Sequence, residues 1–435
     1  MKILSITAQK PHSTGSGTYL TELVKSWDRA GHSQAVVCGI YPDDMIDFPE
    51  GVGCYPVFFT DIAGDKQPSG TAASPADLFC SCKVRQNGIS ALPFPIVGMS
   101  DIMPYTSTRY RDLTPQMISQ FEEAFISTVD RAVADLDPDL IVCHHLFLLT
   151  ALVRKHFPGR KIYGISHGTD LRQMINCDNL REFVRPEIAG IDRALALHAE
   201  QKQKIIEIFG IDESRVHVIG SGYNARLFRA DLKTSGSAAI TSADTVTPVR
   251  ICYAGKISRP KGVPELLRVL SMLKEDPETA PFEVTLAGGC QDEAVRSALD
   301  ELQSNISWLG QIPQPALAEV LRSNDIFVLP SYFEGLPLVL IEAMASGAVP
   351  VCTDLPGVRP WISANVPDHN IRFVPMPEMA GIDQPTETGR EAFVADLFCI
   401  LKDLINSISC GKLSEKLPDT SSVTWDAVAS RILSI

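Results

Sequence analysis

Strand-like and helix-like segments alternate along this chain, and the alternation occurs in two separate stretches. The strand-like runs of the first stretch are Lys2–Ala8, Ala35–Tyr41, Gly53–Phe58, Leu140–His145, Lys161–Ser166, Arg193–Leu197 and Val216–Gly220. Those of the second stretch are Arg250–Ala254, Phe282–Ala287, Ile306–Leu309, Asp325–Pro330 and Ala348–Thr353. Apolar residues at helical spacing lie between these runs. The pattern predicts an α/β chain with two doubly wound, mostly parallel sheets of Rossmann-like type.

Residues 231–248 interrupt the alternation with Ser, Thr, Ala, Gly and Asp, the composition of a linker. We therefore expect a first domain at 1–230 and a second at 249–419. We also expect a cleft between the two domains. Ligands of such sheets bind beyond the carboxyl ends of the strands. Residues 60–108 also interrupt the alternation of strands and helices. A loop of that length is either an acceptor-facing insertion or a partly mobile segment.

Composition excludes several classes of protein. The chain has 435 residues, 45% hydrophobic and 21% charged, and a net charge of −13, which argues against a nucleic-acid partner. No apolar run approaches the roughly 18 residues that span a bilayer, and Met1–Ala8 is too short for a signal peptide. The 11 cysteines are scattered, as small core residues are in a reducing compartment. We expect a cytoplasmic protein that could contact the inner face of a membrane peripherally, and the oligomeric state is left open.

Two carboxylates, Glu334 and Glu342, follow the apolar run that ends at Pro330. Glu334 falls on a turn with Gly335, and Glu342 falls on a short apolar helix that Pro337 opens. A carboxylate among apolar neighbours is costly unless a partner donates hydrogen bonds to it, and sugar hydroxyls are such donors. The alternative is an ordinary strand-turn-helix in which the glutamate has no role in binding, since glutamate is common near the start of a helix.

Lys256 and Lys261 lie on the loop between the first strand and first helix of the second domain. Such a loop faces the ligand edge of the sheet, and lysine suits phosphate oxygens. Gly15 and Gly17 occupy the first strand-to-helix loop of the chain, where small residues permit close approach to a diphosphate or an acceptor. The alternatives are solvated lysines and an ordinary turn.

His167 ends a strand, where it could hydrogen-bond a sugar hydroxyl, and a core or turn histidine is the alternative. His144 and His145 end another strand and are assigned to the acceptor side. A zinc site is not expected, since no third ligand lies at metal spacing. Asp135, Asp137 and Asp139 match a metal-binding Asp-x-Asp pattern, but they precede a strand and are assigned to a helix-end turn.

The segment Glu334–Glu342 resembles the Glu-x7-Glu signature of retaining glycosyltransferases of family four, which have the GT-B fold. Tyr253–Gly262 resembles their phosphate-binding loop, with Lys256 in place of the usual arginine. The last segment, 420–435, resembles the helix that crosses back onto the first domain in GT-B enzymes.

The resemblance implies a retaining transfer of a hexose-type sugar from a nucleotide-diphosphate donor to a hydroxyl of a glycan, lipid or small molecule, with no metal or other cofactor. It implies catalytic roles for Glu334, His167 and Lys261. It implies that Glu342 accepts hydrogen bonds from the ribose, and that the remaining donor-binding residues are Lys256, Gly335, Leu336, Leu338, Gly310, Gln311 and Ile312, with Gly15 and Gly17. A catalytically idle sugar-nucleotide binder or scaffold, and another GT-B activity such as a nucleotide-sugar epimerase, are the alternatives.

Overall fold

The structure is a computed structural model that describes residues 1–61, 83–84, 91–101, 103–232, 247–290, 292–300, 305–334, 336–381, 384–412 and 416–435. The chain divides into two compact units. The first consists of Met1–Ser221 with Trp425–Ile435, and the second of Gly222–Thr424. Only the ends of the segment 231–248 are among the described residues.

The first unit is a parallel sheet with helices between its strands. Its strands are β1 (Lys2–Thr7), β2 (Ser33–Ile40), β3 (Gly53–Phe58), β4 (Lys83–Val84), β7 (Leu140–His144), β8 (Ile162–Ile165), β9 (Arg193–Ala196) and β10 (Val216–Val218), in the order β10-β9-β8-β7-β1-β2-β3-β4. Its helices are α1 (Gly15–Arg29), α2 (Pro115–Leu136), α3 (Leu148–His156), α4 (Thr169–Asn176), α5 (Asp178–Ala189) and α6 (Ala199–Phe209). The central strands are buried on both faces, as expected of a covered parallel sheet.

The predicted insertion 60–108 is described only in part. β4 extends the sheet beside β3, and a separate pair forms between β5 (Val97–Gly98) and β6 (Thr108–Arg109). Residues 62–82, 85–90 and 102 lie outside the described part of the chain.

The aspartates of the Asp-x-Asp pattern lie where the sequence places them. Helix α2 ends at Leu136, and Asp137 caps it in the left-handed conformation with φ 48°. Asp139 accepts a hydrogen bond from the amide of Lys2 at 2.8 Å, which joins the starts of β7 and β1. These carboxylates therefore serve the amino edge of the sheet, opposite the edge where ligands bind.

The helix α13 (Trp425–Ser434) belongs to the first unit and packs on α1, which confirms the predicted return of the last segment. Trp27 Nε1 donates to the carbonyl of Ala429 at 3.1 Å. Trp425 meets Tyr19 edge-on, with ring centroids 4.7 Å apart. The helix thereby covers apolar surface of α1.

The second unit is a six-stranded parallel sheet in the part that the structure describes. Its strands are β11 (Val249–Ala254), β12 (Phe282–Ala287), β13 (Ile306–Trp308), β14 (Ile326–Leu329), β15 (Val349–Thr353) and β16 (Arg372–Val374), in the order β13-β12-β11-β14-β15-β16. Its helices are α7 (Val263–Glu275), α8 (Glu293–Asp300), α9 (Gln314–Ser323), α10 (Leu338–Ser346), α11 (Val358–Asn365) and α12 (Glu387–Ser409). The two Rossmann-like sheets confirm the predicted α/β fold class.

Candidate functional site

The strand order of the second sheet changes direction beside β11. β12 and β13 follow on one side of it, and β14 to β16 lie on the other. Doubly wound sheets bind ligands at such a point, beyond the carboxyl ends of the strands. Lys261 lies on the loop after β11 and Glu334 on the loop after β14. The two residues therefore come from the two loops that border the expected ligand position.

Lys261 and Glu334 form an ion pair. Lys261 Nζ lies 2.6 Å from Glu334 Oε1, and the side chains are 26% and 19% exposed. Ser331 Oγ donates to the same carboxylate oxygen at 2.8 Å. Lys261 Nζ also donates to the carbonyl of Phe333 at 3.3 Å. These contacts orient the carboxylate through Oε1 and leave Oε2 to other partners.

Gly262 brings the lysine loop into backbone contact with the end of β14. It adopts φ +65°, and a Cβ atom built on it would lie 2.0 Å from the carbonyl oxygen of Pro330. The amide of Tyr332 donates to the carbonyl of Pro260 at 3.0 Å. Only glycine fits this approach, since any side chain would collide with backbone.

Tyr332 anchors the glutamate loop to helices α7 and α12. The side chain is buried and packs on Phe393 of α12, with ring centroids 5.4 Å apart. Burial raises the pKa of Tyr332, and the neighbouring carboxylate of Glu265 on α7 raises it further. Arg390 Nε lies 3.2 Å from Glu265 Oε1 and compensates that buried charge. Sequence spacing gives no signal for this cluster, because its members come from distant segments.

Lys256 stands apart from the ion pair. Its side chain is exposed, and no ion-pair partner for it occurs within the described residues. Its carbonyl accepts a hydrogen bond from the Tyr253 hydroxyl at 2.8 Å, which shapes the turn after β11. The structure therefore brings together two of the four predicted charged side chains, Lys261 and Glu334.

Glu342 is buried, with 8% of the residue exposed, in the middle of α10. Leu336 and Leu338 pack partly buried against an apolar cluster, so their side chains serve packing and only their backbone groups are suited to a polar ligand. Gly335 lies outside the described residues.

The loops after β11, β12 and β13 are closely packed at glycines. A Cβ atom on Gly288 would lie 1.7 Å from the carbonyl oxygen of Gly255. The amide of Gly288 donates to the carbonyl of Gly310 at 2.7 Å, so that carbonyl is already engaged. Gln311 is exposed, whereas Ile312 packs partly buried against the apolar cluster under α10. Contact with a base through the backbone groups of Gly310, Gln311 and Ile312 stays a prediction.

Gly15 and Gly17 have different environments at the start of α1. A Cβ atom on Gly17 would lie 2.7 Å from the carbonyl oxygen of Lys10, and the Gly17 amide donates to Thr14 Oγ1 at 3.3 Å. The close packing of this loop therefore explains why position 17 is a glycine. A Cβ atom on Gly15 would meet no atom within 4 Å, so the chain is open to approach there.

Three histidines meet at the carboxyl edge of the first sheet. His144 Nδ1 lies 3.1 Å from His167 Nε2, and the ring centroid of His145 lies 4.8 Å from that of His167. Burial lowers the pKa of His167 to about 3 and places those of His144 and His145 well below the ordinary value. All three rings are therefore neutral near pH 7.

Backbone strain and a buried carboxyl group accompany this cluster. His145 has φ 73°, a left-handed conformation that non-glycine residues adopt rarely and that concentrates at functional sites. Asp170 accepts hydrogen bonds from the Leu146 amide at 2.8 Å and from Ser166 Oγ at 2.9 Å. Burial raises the pKa of Asp170, and these bonds partly offset the rise. The loops after β7 and β8 are thereby fastened together.

Among the described residues, no group of three or more His, Cys, Asp or Glu side chains is arranged to hold a metal ion. Cys80 and Cys82, which only one residue separates in the sequence, lie outside that part of the chain. No described helix is both long enough and apolar enough to cross a bilayer.

Both units match known protein families. The family described as "Glycosyl transferase 4-like domain" matches residues 14–222, and "Glycosyl transferases group 1" matches residues 248–376. A curated relative, D-inositol 3-phosphate glycosyltransferase of Nocardia farcinica, is 29% identical over 180 residues, which are 39% of this chain. The matched stretch spans about two fifths (39%) of that relative's length.

Solved structures share the whole fold. Sucrose-phosphate synthase from Thermosynechococcus elongatus has a TM-score of 0.58 at 18% identity, covering 100% of this chain and 98% of its own. The Anabaena protein HepE, solved in complex with UDP and glucose, has a TM-score of 0.52 at 14% identity, with coverage of 100% and 98%. These likenesses identify the architecture as GT-B.

Proposed function

This chain carries the two domains of a GT-B glycosyltransferase, and we propose that it transfers a hexose-type sugar from a nucleotide-diphosphate donor to an acceptor hydroxyl, with retention of anomeric configuration. The donor and the stereochemistry are the parts of this proposal that go beyond the domain family. The acceptor is a hydroxyl of a glycan, a lipid or a small molecule.

The Lys261–Glu334 ion pair carries the proposal. It lies beside the point where the strand order reverses, and it is partly exposed. A diphosphate entering there would exchange with the carboxylate as the partner of the ammonium group, because phosphate oxygens bind lysine strongly. Glu334 would then accept hydrogen bonds from hydroxyls of the donor sugar through the oxygen that the ion pair leaves available.

The rest of the donor would contact helix α10 and the glycine loops. Glu342, buried on α10, would accept hydrogen bonds from the ribose hydroxyls. The start of α10 offers backbone amides and the positive end of a helix dipole to the diphosphate. Gly310, Gln311 and Ile312 would meet the base through backbone groups, and Lys256 would add a flexible positive charge.

The proposed chemistry needs positioning and charge stabilisation more than a protein nucleophile. The acceptor would attack the face from which the diphosphate departs, and a diphosphate oxygen would take the acceptor proton. Lys261 and the amides of α10 would stabilise the charge that develops on the leaving group. We propose on the same grounds that no metal ion is required.

A comparison structure gives the first donors to test. The Anabaena protein of the same fold was solved with UDP and glucose, so UDP-glucose and UDP-galactose are the starting points for this chain. The name of the Nocardia farcinica relative suggests an inositol phosphate as one acceptor for the panel.

A panel of UDP-, GDP-, ADP- and TDP-sugars tests the proposal directly. We expect at least one to raise the melting temperature, since a ligand that binds only the native state stabilises it, and the same sugar to be hydrolysed slowly without acceptor. NMR of the released or transferred sugar reads the anomeric configuration. Stabilisation without any turnover would support an idle binder, and inversion at the anomeric carbon would reject the retaining mechanism.

A further inference from the structure

A hydrogen bond between two histidines determines what His167 can offer a substrate. His144 ends β7, and His167 follows β8, the neighbouring strand. His144 Nδ1 and His167 Nε2 are 3.1 Å apart, the ring planes differ by 9°, and the ring centroids are 5.3 Å apart. The centroids are much farther apart than the nitrogens, so the rings lie side by side in nearly one plane. That is the straight geometry that an N–H···N hydrogen bond prefers.

Two proton arrangements are compatible with this contact. Both rings are neutral, because burial lowers both pKa values, and a neutral imidazole carries one N–H and one acceptor nitrogen. Either His144 donates from Nδ1 to His167, or His167 donates from Nε2 to His144. The choice decides whether the other nitrogen of His167, Nδ1, carries a proton.

The environment of His144 selects the first arrangement. Its Nε2 is buried and has no hydrogen-bond partner within the described residues. If His144 were the acceptor, this Nε2 would carry an orphaned N–H group. Buried orphaned N–H groups are rarer in proteins than unpaired acceptors and cost the full desolvation penalty. With His144 as the donor, only an acceptor lone pair is left unpaired there.

We propose that His144 is a positioning residue that holds His167 in the tautomer protonated on Nδ1, so that His167 presents an N–H donor to a substrate oxygen atom and does not act as a general base. This inference rests on the function proposed above. His167 is partly exposed, and its Nδ1 has no hydrogen-bond partner in the described part of the chain. The recognised group is therefore an acceptor oxygen, such as that of a sugar hydroxyl.

Tyr19 does not disturb this arrangement. Its ring meets that of His167 edge-on, at a centroid distance of 5.2 Å, so it contributes packing. Its hydroxyl donates to the carbonyl of Gly220 at 2.9 Å and is thus engaged elsewhere. Within the described residues, the hydrogen bond that fixes the tautomer of His167 comes from His144.

The variants His144→Asn and His144→Leu form a matched pair for the test. The two new side chains are similar in size, but only asparagine keeps an N–H donor near the position of His144 Nδ1. Two-bond ¹H–¹⁵N NMR of histidine-labelled full-length protein reads which nitrogen of His167 carries the proton. We expect Nδ1–H in the wild type and in His144→Asn, and a mixture of tautomers in His144→Leu. His156→Asn, a change of an exposed histidine on α3, is the control for resonance assignment.

Activity provides the second readout. With the best nucleotide sugar of the panel, we expect kcat/KM to fall about tenfold in His144→Leu, the scale of one misdirected hydrogen bond, and His144→Asn to restore most of it. A proton on Nε2 of His167 in the wild type would overturn the inference, as would an unchanged tautomer in His144→Leu. The tautomer is read without substrate, so a chain that has the expected tautomer but turns over no sugar would reject the proposed function and leave the role of His144 standing.

Discussion

The carbonyl oxygen of Pro330 occupies the space that a side chain on Gly262 would need, with only 2.0 Å between that oxygen and a built Cβ atom. The loop that carries Lys261 and the strand end that leads to Glu334 therefore pack backbone against backbone. The 2.6 Å ion pair between these residues depends on that approach.

Replacing Gly262 with alanine should separate the two loops. We expect Gly262→Ala to lower the free energy of unfolding by about 3 kcal/mol or more, because it adds a collision to a left-handed backbone conformation. Gly210→Ala is the matched control. Gly210 has φ +70° but no atom within 4 Å of a built Cβ, so it should cost only about 1 kcal/mol. Urea unfolding measures the free energy of unfolding of both variants. Equal losses would show that the backbone shifts to relieve the collision with Pro330 at little energetic cost.

Glu334→Gln should separate nucleotide binding from transfer. The change removes the negative partner of Lys261, so we expect the free nucleoside diphosphate to bind as tightly or a few fold more tightly. Transfer should fall by roughly 100-fold or more, if the carboxylate acts on the transferring sugar. Calorimetry with UDP measures the affinity for the nucleoside diphosphate, and steady-state kinetics measure the rate of transfer. Glu275→Gln, an exposed change at the far end of α7, is the control, and parallel losses of binding and transfer would contradict the assigned roles.

Tyr332→Phe tests whether the buried cluster under the glutamate loop supports the site. We expect a loss of about 1–2 kcal/mol in the free energy of unfolding, because the buried carboxylate of Glu265 loses a polar neighbour. A fall in kcat that exceeds the change in KM would indicate that Glu334 is displaced. Tyr163→Phe, at a buried tyrosine of the first unit, controls for the loss of a hydroxyl. Unchanged kinetics despite lower stability would limit Tyr332 to a role in folding.

Acid should destabilise the first unit through its histidines. Histidine has a pKa near 6.5 when unfolded, whereas His167 has about 3 when folded, so the unfolded state takes up protons first. Stability should therefore be highest above pH 6.5 and fall as the pH is lowered toward 3. His144→Asn removes one such group and should reduce the slope by about 1.4 kcal/mol per pH unit. Urea unfolding between pH 4 and 8 gives the slopes, and parallel lines would mean that His144 is not held neutral.

The sequence predicts the glutamate and lysine loops because their signals are local. The apolar run through Leu329, the turn before Pro337 and the apolar helix that carries Glu342 adjoin one another in the chain. Parallel strands then place the Lys261 loop at the same edge of the sheet. The predictions for the Lys256 side chain and the Gly17 amide depend on neighbouring groups, and the spacing of residues in the sequence does not show which groups those are.

Other parts of the fold have weaker or only long-range signals. The helices α4 and α5 are not predicted: they adjoin at Cys177, and Pro186 lies inside α5. The contacts of Tyr332 with Glu265 and of Tyr19 with Trp425 join residues that are distant in sequence. Periodicity describes which face of an element is buried, but it does not name the partner across the core.

The docking of α13 on α1 has a consequence for biosynthesis. The parts of Trp27 and Tyr19 that α13 covers stay exposed until residues 425–435 have left the ribosome, and those residues follow the whole second unit. The first unit therefore cannot finish its own core during its synthesis, although amino-terminal domains usually fold first. Its nascent form carries an apolar stripe on α1 for the time needed to translate about two hundred further residues, a surface suited to transient capture by a chaperone.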